Sequence, residues 1–339
     1  MKAIRLIDRE TLTVEDIPMP ELKPGWALVE MKHAIICGSD KRWYKVGAHK
    51  MPLTLGHELA GIVRKVEGDP DSGLLNKRVS IIPLMNCGEC PACMSGAYNL
   101  CPNYKYLGSS FDGGFAEFVA VPVQNIVLVP ETLNLSSVAA VDPYAVGLHA
   151  LRRGNYRAGQ SAVVIGAGTI GLTATDYLLN VLGALDVTVA DVVPEKLRIA
   201  EKLGAKSLDL SKNPNLDDYL ADIVLVATAA PSSIGNALFL AKRGGTVTVA
   251  GIPYNPVELA AKNFEQLMRR EIKMMGCWNY VWSAMPENEW NTTIQFLASG
   301  KLHPELLITH HFSLDDGAKG FETALHDPNA VMVEYVINQ

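Results

Sequence analysis

No stretch of the 339-residue chain holds the ~18–20 consecutive apolar residues needed to span a bilayer. The run from Met1 to Asp8 lacks the apolar core of a secretory leader and turns acidic at once. The expectation is a protein of the cytoplasm with no membrane partner. An excess of positive charge is also missing: 36 acidic side chains against 30 basic give a net charge of −6. Nucleic-acid binding needs a basic face and is not expected. There are no internal repeats and no low-complexity tract, and 48% apolar with 19% charged residues excludes a disordered chain. Cysteine is scarce, and its placement is informative. Of the six, Cys87, Cys90, Cys93 and Cys101 crowd into 15 residues, while Cys37 and Cys277 stand alone. Scattered even pairs would suggest disulfides; the spacing C-x2-C-x2-C-x7-C suggests a metal in a reducing compartment. Four thiolates so spaced close a tetrahedral shell around zinc with no open position, which makes that zinc structural. Four incidental buried cysteines are the alternative.

A single core stops growing near ~250–300 residues, so a chain of this length is expected to form two domains. The first ~130 residues look β-rich, with strands expected at Trp26 to Glu30, Gly61 to Val66, Arg78 to Ile82 and Phe115 to Val121, separated by Gly and Pro. From about residue 160 strands and helices alternate. Strands are expected at Ser161 to Ile165, Asp186 to Ala190, Ala221 to Thr228, Gly244 to Gly251 and Ile272 to Gly276, with helices to about Leu182 and over Pro194 to Leu203. That alternation implies an α/β fold with a doubly wound parallel sheet. A helix around Asn288 to Ser299 and a strand at Val331 to Ile337 follow. The expected boundaries are 1–145 with 279–339 for the β-rich domain, including a cysteine lobe at 84–104, and 146–278 for the α/β domain.

Gly166-Ala167-Gly168-Thr169-Ile170-Gly171 is G-x-G-x-x-G between an expected strand and an expected helix, and Asp191 lies 20 positions after Gly171 at the end of the next strand. This context identifies a dinucleotide site. Gly166 allows a tight turn, Gly168 lets backbone approach a pyrophosphate, and Gly171 lets the helix pack on the strand. Thr169 and Ile170 open the helix whose N-terminus meets the phosphates. Asp191 would accept from ribose hydroxyls and repel a 2′-phosphate, which favours NAD over NADP. The alternative is a glycine turn without a ligand.

Cys37 and His57 each sit in a glycine-marked loop, and Asp142 lies in an apolar stretch where an acid needs a partner. Spacing alone leaves open whether they are ligands or core residues. The runs Cys37-Gly38-Ser39-Asp40, Gly56-His57-Glu58, the four-cysteine lobe, Asp112-Gly113-Gly114-Phe115-Ala116-Glu117 and the G-x-G-x-x-G stand in an order that resembles the zinc-containing medium-chain dehydrogenases. Lys45-x-Gly47-Ala48-His49-x-x-Pro52, Asp142-Pro143-Tyr144 through Ala150, and Trp278-Asn279-Tyr280 resemble the polyol branch of that family. The resemblance implies a GroES-like catalytic domain beside a Rossmann domain, NAD and two zinc ions per chain, and a homodimer or homotetramer. It implies a catalytic zinc on Cys37 and His57 with Glu58 or Asp142, and Ser39 as first proton acceptor. It places Lys196, Ala250, Gly251, Ile252 and Cys277 against the cofactor and Asn279 against the substrate. Many relatives carry a proton-relay histidine where this chain has Arg42, which cannot relay a proton.

Lys41, Arg42, Lys45, His49 and Lys50 place five potential cations in ten residues directly after Ser39. Arg42, Lys45 and His49 either meet a substrate phosphate or form a solvated basic loop. The expected activity is oxidation of a secondary hydroxyl of a sugar-alcohol phosphate by hydride transfer. The alternatives are the same chemistry on an unphosphorylated polyol, aldonate or amino alcohol, or a catalytically silent NAD-binding sensor, against which the intact Cys37, Ser39 and His57 argue.

Overall fold

Alternating burial of Ala27, Val29 and Met31 makes Trp26–Ile35 the spine of a seven-stranded sheet. The computed structural model describes residues 1–69, 71–213, 215–282 and 288–338. Along one edge Trp26–Ile35 pairs antiparallel with Glu58–Val66; along the other it pairs first with Phe118–Pro122 and then with Met332–Val336. Arg78–Ile81 and Ile126–Leu128 extend one side of the sheet, and Ile308–Ser313 closes the other. The spine strand was expected to end at Glu30. It continues because a register shift between Met31 and His33 breaks the alternation without ending the ladder, and Ala34 and Ile35 are buried. The hairpin Lys2–Asp8/Thr11–Asp16 and the strand Ile308–Ser313 were also not expected. Their sequences are rich in charge, Thr and His; the hairpin is held by pairing across its short turn and Ile308–Ser313 by parallel pairing with Met332–Val336.

Two units divide the chain. One contains Met1–Asp142, Trp282–Ala298 and Ile308–Gln339; the other contains Pro143–Val281 and Ser299–Leu307. The core of the first centres on Phe115, whose ring meets Phe321 at 5.9 Å and Tyr335 at 5.1 Å, both edge-on. All three are fully buried. Each such side chain contributes about 1.5–3 kcal/mol of burial, and edge-on ring pairs add to it.

In the second unit short β-branched runs form a six-stranded parallel sheet ordered Lys206–Asp209, Asp186–Asp191, Ser161–Ile165, Ala221–Val226, Ala241–Val249 and Lys273–Gly276. Val163, Val164, Val224, Leu225 and Val247 are buried, as strands covered on both faces require. This is the dinucleotide-binding order, which reverses beside its first strand and leaves a crevice at the carboxyl ends. Lys206–Asp209, a short and largely exposed edge strand, was not expected. Buried Asp176 on the helix Thr169–Asn180 accepts from the Tyr144 hydroxyl at 2.6 Å and from His303 N at 2.6 Å. That carboxylate ties 299–307 into this unit, although the sequence had suggested the other.

Candidate active site

Cys37 caps the helix Gly38–Val46 just after the spine strand, and His57 directly precedes the neighbouring strand Glu58–Val66, which Glu58 opens. The loop before His57 is shaped by Gly56, which has a φ of 95° and whose Cβ would lie 2.4 Å from the Phe115 ring. Gly113, Gly114 and Phe115 hold that loop by donating to the carbonyls of Thr54, Gly56 and Leu55 at 2.7, 2.9 and 3.0 Å. One donor atom each from Cys37, His57 and Glu58 lies within 4.8 Å of the others.

The organiser of this cluster is Asp40. Fully buried, it accepts from Cys37 N at 2.9 Å and Gly56 N at 3.3 Å, and its Oδ1 lies 3.5 Å from His57 Nδ1. A carboxylate behind an imidazole fixes the ring and raises its basicity as a ligand. Asp40 was visible in the sequence only as the last residue of the Cys37-Gly38-Ser39-Asp40 run. The signal that would have found it is an acid three residues into a helix, reaching back to the N-cap.

Burial opposes ionisation of Cys37, but the charge and hydrogen bond of His57 and a hydrogen bond with Ser39 outweigh it and hold the thiol below its ordinary value. Burial likewise opposes protonation of His57, yet the charges of Asp40 and Cys37 hold the ring well above its ordinary value. Burial, then the charges of Cys37 and Asp142, push the Glu58 carboxyl well above the usual range. Glu58 Oε2 is buried without a hydrogen-bond partner. A divalent cation bound by thiolate, imidazole and carboxylate relieves each of these conflicts, and this mixed donor set suits zinc with one position open. Asp142 is buried and acts on Glu58 electrostatically, but the mutually close donor atoms are those of Cys37, His57 and Glu58.

The four clustered cysteines are free thiols with their sulfurs within 4.8 Å of one another. Cys90 Sγ lies 3.4 Å and Cys87 Sγ 3.9 Å from Cys93 Sγ, against an edge of about 3.8 Å for a tetrahedral zinc–sulfur shell. Cys90 caps the short helix Pro91–Met94, and Gly88 and Gly96 turn the chain at φ 80° and 77°. Burial raises Cys93, but hydrogen bonds with Asn86 and Cys90 bring it down to about 6. The Cys93 N–H lowers Cys90, but desolvation and the neighbouring thiols push it up to about 11. Four thiols sharing so little space are a fit for a resident cation.

In the second unit each glycine of the G-x-G-x-x-G run has its own surroundings. Gly166 turns at φ 108°, with its Cβ position 2.9 Å from Ala227 O; a Cβ on Gly171 would lie 1.8 Å from Gly166 O; Gly168 faces open space. The first two are demanded by the fold. The third leaves an opening at the start of the helix Thr169–Asn180 where a ligand can approach, and the residues fit a dinucleotide. Asp191 closes the strand Asp186–Asp191, and Lys196 sits half-buried in the helix Pro194–Leu203. Ala250 and Gly251 both donate to Val226 O, and Cys277 N donates to Val249 O, so these residues lie with Ile252 at the carboxyl end of the same sheet. Asn279 turns at φ 49° between exposed Trp278 and buried Tyr280.

Ser39 follows Cys37 in the first turn, half-buried. Arg42, Lys45 and His49 are exposed; the Arg42 guanidinium lies 5.6 Å from the Trp43 ring centroid and the His49 ring 4.8 Å from it. Lys41 points elsewhere, toward Ala324 O at 3.5 Å.

Residues 23–131 match the alcohol dehydrogenase GroES-like domain and residues 169–299 the zinc-binding dehydrogenase family. Galactitol 1-phosphate 5-dehydrogenase of Escherichia coli K12 is 32% identical over 317 residues, 90% of this chain and 91% of the relative. Sorbitol dehydrogenase of Bacillus subtilis is 29% identical over 344 residues, 97% and 95% of the two chains. The crystal structure of galactitol-1-phosphate dehydrogenase from E. coli superposes with a TM-score of 0.92 at 29% identity, covering 99% of this chain and 100% of that one. A short chain alcohol dehydrogenase of E. coli CFT073, complexed with NADH, superposes with a TM-score of 0.91 at 27% identity, covering 99% of each. The chain belongs to the zinc-binding alcohol dehydrogenase family, oxidoreductases that act on CH–OH donors.

Proposed function

We propose that this chain is an NAD-dependent zinc dehydrogenase that oxidises a secondary hydroxyl of a sugar-alcohol phosphate to the ketose phosphate. The observation that carries this reading is the Cys37, His57 and Glu58 donor cluster, whose Cys37 caps the helix Gly38–Val46 that carries Arg42 and Lys45, with His49 in the segment just after it. Cys37, His57 and Glu58 would hold one zinc, with Asp142 behind them, and the four-cysteine lobe a second. When bound, zinc supplies Lewis acidity that eases loss of a hydroxyl proton, and the nicotinamide supplies a hydride acceptor. Ser39 Oγ, hydrogen-bonded with Cys37, would accept the proton of the substrate hydroxyl as its own hydroxyl proton passes on to water. Asp40 keeps the His57 ring aimed. Arg42 cannot pass the proton on, so it serves charge recognition instead. Asp191 meets the ribose hydroxyls and disfavours a 2′-phosphate. The similarity to a galactitol 1-phosphate dehydrogenase supports the phosphorylated substrate.

A second reading is a free polyol as substrate. The observations that favour it are Arg42 and His49 resting on Trp43, Lys45 in the last helical turn where a cation suits the helix dipole, and the sorbitol dehydrogenase among the relatives. A screen of polyols and their phosphates, read as NADH absorbance, separates the two. Arg42→Ala or Lys45→Ala should cost roughly 10–150-fold in kcat/KM on the polyol phosphate and little on the free polyol, since a hydrogen bond to a charged group is worth about 1.5–3 kcal/mol. Equal losses on both substrates would return the patch to a structural role.

A further inference from the structure

We propose that Asp191 is a positioning residue: besides facing the adenosine ribose, it braces the glycine-rich loop against the neighbouring strand before any nucleotide arrives. This rests on the dinucleotide site proposed above. The parallel ladder between Ser161–Ile165 and Asp186–Asp191 ends with Ile165 opposite Ala190. Gly166 N still donates to Ala190 O at 2.8 Å. Gly166 then turns the chain at φ 108°, and the backbone of the next strand can follow no further. The next amide, Ala167 N, donates instead to Asp191 Oδ2 at 2.6 Å. The side chain supplies one more rung where the main chain has run out. Its other oxygen is fixed as well: Oδ1 accepts from Val192 N at 2.7 Å and Val193 N at 2.9 Å. Three N–H groups thus hold the carboxylate in place, and it holds Ala167.

Ala167 is fully buried, so without Asp191 its N–H would lose its partner away from water, a costly state. Ala167 also directly precedes Gly168, the glycine that faces open space. A loop that relaxes to satisfy Ala167 moves the backbone meant for the pyrophosphate. Truncating Asp191 should therefore do more than relax cofactor choice. It should weaken every dinucleotide, including one with no ribose hydroxyl to recognise.

The test uses full-length protein as wild type, Asp191→Ala and Asp191→Asn. Binding of NADH, NADPH and an NADH analogue with a 2′,3′-dideoxy adenosine ribose is read by nicotinamide fluorescence. Amide hydrogen exchange is read on nucleotide-free protein. Asp191→Ala should bind the dideoxy analogue about tenfold or more weaker than wild type does. Exchange at Ala167 and Gly168 should rise, while exchange at Val224 and Val247 in the same sheet stays as in wild type; a general loss of stability would raise all four. Asp191→Asn keeps one acceptor oxygen and should fall between on both readouts, so it carries the test if the alanine variant does not fold. Unchanged binding of the dideoxy analogue overturns the proposal, and so does unchanged exchange at Ala167. If wild type binds none of the three nucleotides, the dinucleotide reading itself fails, an outcome distinct from wild-type binding that Asp191→Ala leaves intact.

Discussion

Asp40 donates no ligand atom to the Cys37, His57 and Glu58 cluster, yet it touches the backbone of Cys37, the backbone of Gly56 and the ring of His57. An amide in its place has only one acceptor oxygen and turns a donor toward groups that need an acceptor. Asp40→Asn is therefore expected to lower zinc affinity or kcat/KM by about 10–100-fold, checked by zinc retained on dialysis against graded chelator and by turnover. Full retention of both would assign Asp40 to folding alone. The neighbouring carboxylates separate by the same measurement. Glu58 Oε2 is buried without a partner, whereas Asp142 stands outside the group of mutually close donors. Glu58→Gln should lose zinc from this site at a chelator concentration that Asp142→Asn withstands; the reverse order would pass the ligand role to Asp142. The sequence left this choice open because Glu58 and Asp142 lie 84 positions apart and nothing local to either reports its distance from Cys37. Asp40 was less legible still, since two of its three partners, Gly56 and His57, sit on a different loop.

Among the strands, Ile308–Ser313 escapes a reading of the sequence, and a side chain from its neighbour Met332–Val336 helps to hold it. Glu334 on Met332–Val336 is fully buried and accepts from His33 on the spine strand at 2.9 Å and from His311 on Ile308–Ser313 at 2.8 Å. Burial pushes this carboxyl up, but hydrogen bonds from His33, Ser136 and His311 and the charge of His33 outweigh it and hold it below its ordinary value of 4.5. Its folded pKa is thus lower than its unfolded one, so its stabilisation is complete above about pH 4.5 and lost as pH falls through the folded value. Scanning calorimetry from pH 7 downward should show a melting temperature that falls below pH 4.5. Glu334→Gln should melt lower than wild type at pH 7 and show a shallower acid limb; an identical acid limb would remove Glu334 from the pH response. Ile308–Ser313 was missed in the sequence because Thr309, His310 and His311 spoil any apolar alternation, and its place is secured by Glu334 and by parallel pairing with a strand from further along the chain. The inner parallel strands of the second unit were legible because burial on both faces demands β-branched runs, whereas the exposed edge strand Lys206–Asp209 was not.

For the whole molecule, the donor cluster and the cysteine lobe belong to one unit and the glycine-rich loop to the other. Each site should therefore fail by itself. Metal analysis should find two zinc ions per chain. Cys37→Ser should lose one of them and its turnover while keeping its melting temperature and its NADH binding. Cys90→Ser should instead lower the melting temperature, because a lobe with so small a core depends on its metal to fold. A Cys37→Ser protein that retains most of its activity would remove the cluster from catalysis. The sequence by itself determined the α/β order, the glycine-rich turn and the gathering of four sulfurs, because each depends on residues within a few turns of one another, where steric preference and spacing decide the outcome. Tertiary structure alone decided that Cys37, His57 and Glu58 meet, that Asp40 organises them, and that Asp191 reaches Ala167. Those contacts join residues brought close by strand pairing and core packing, and their energies depend on burial and on the loss of water, which no local stretch of sequence contains.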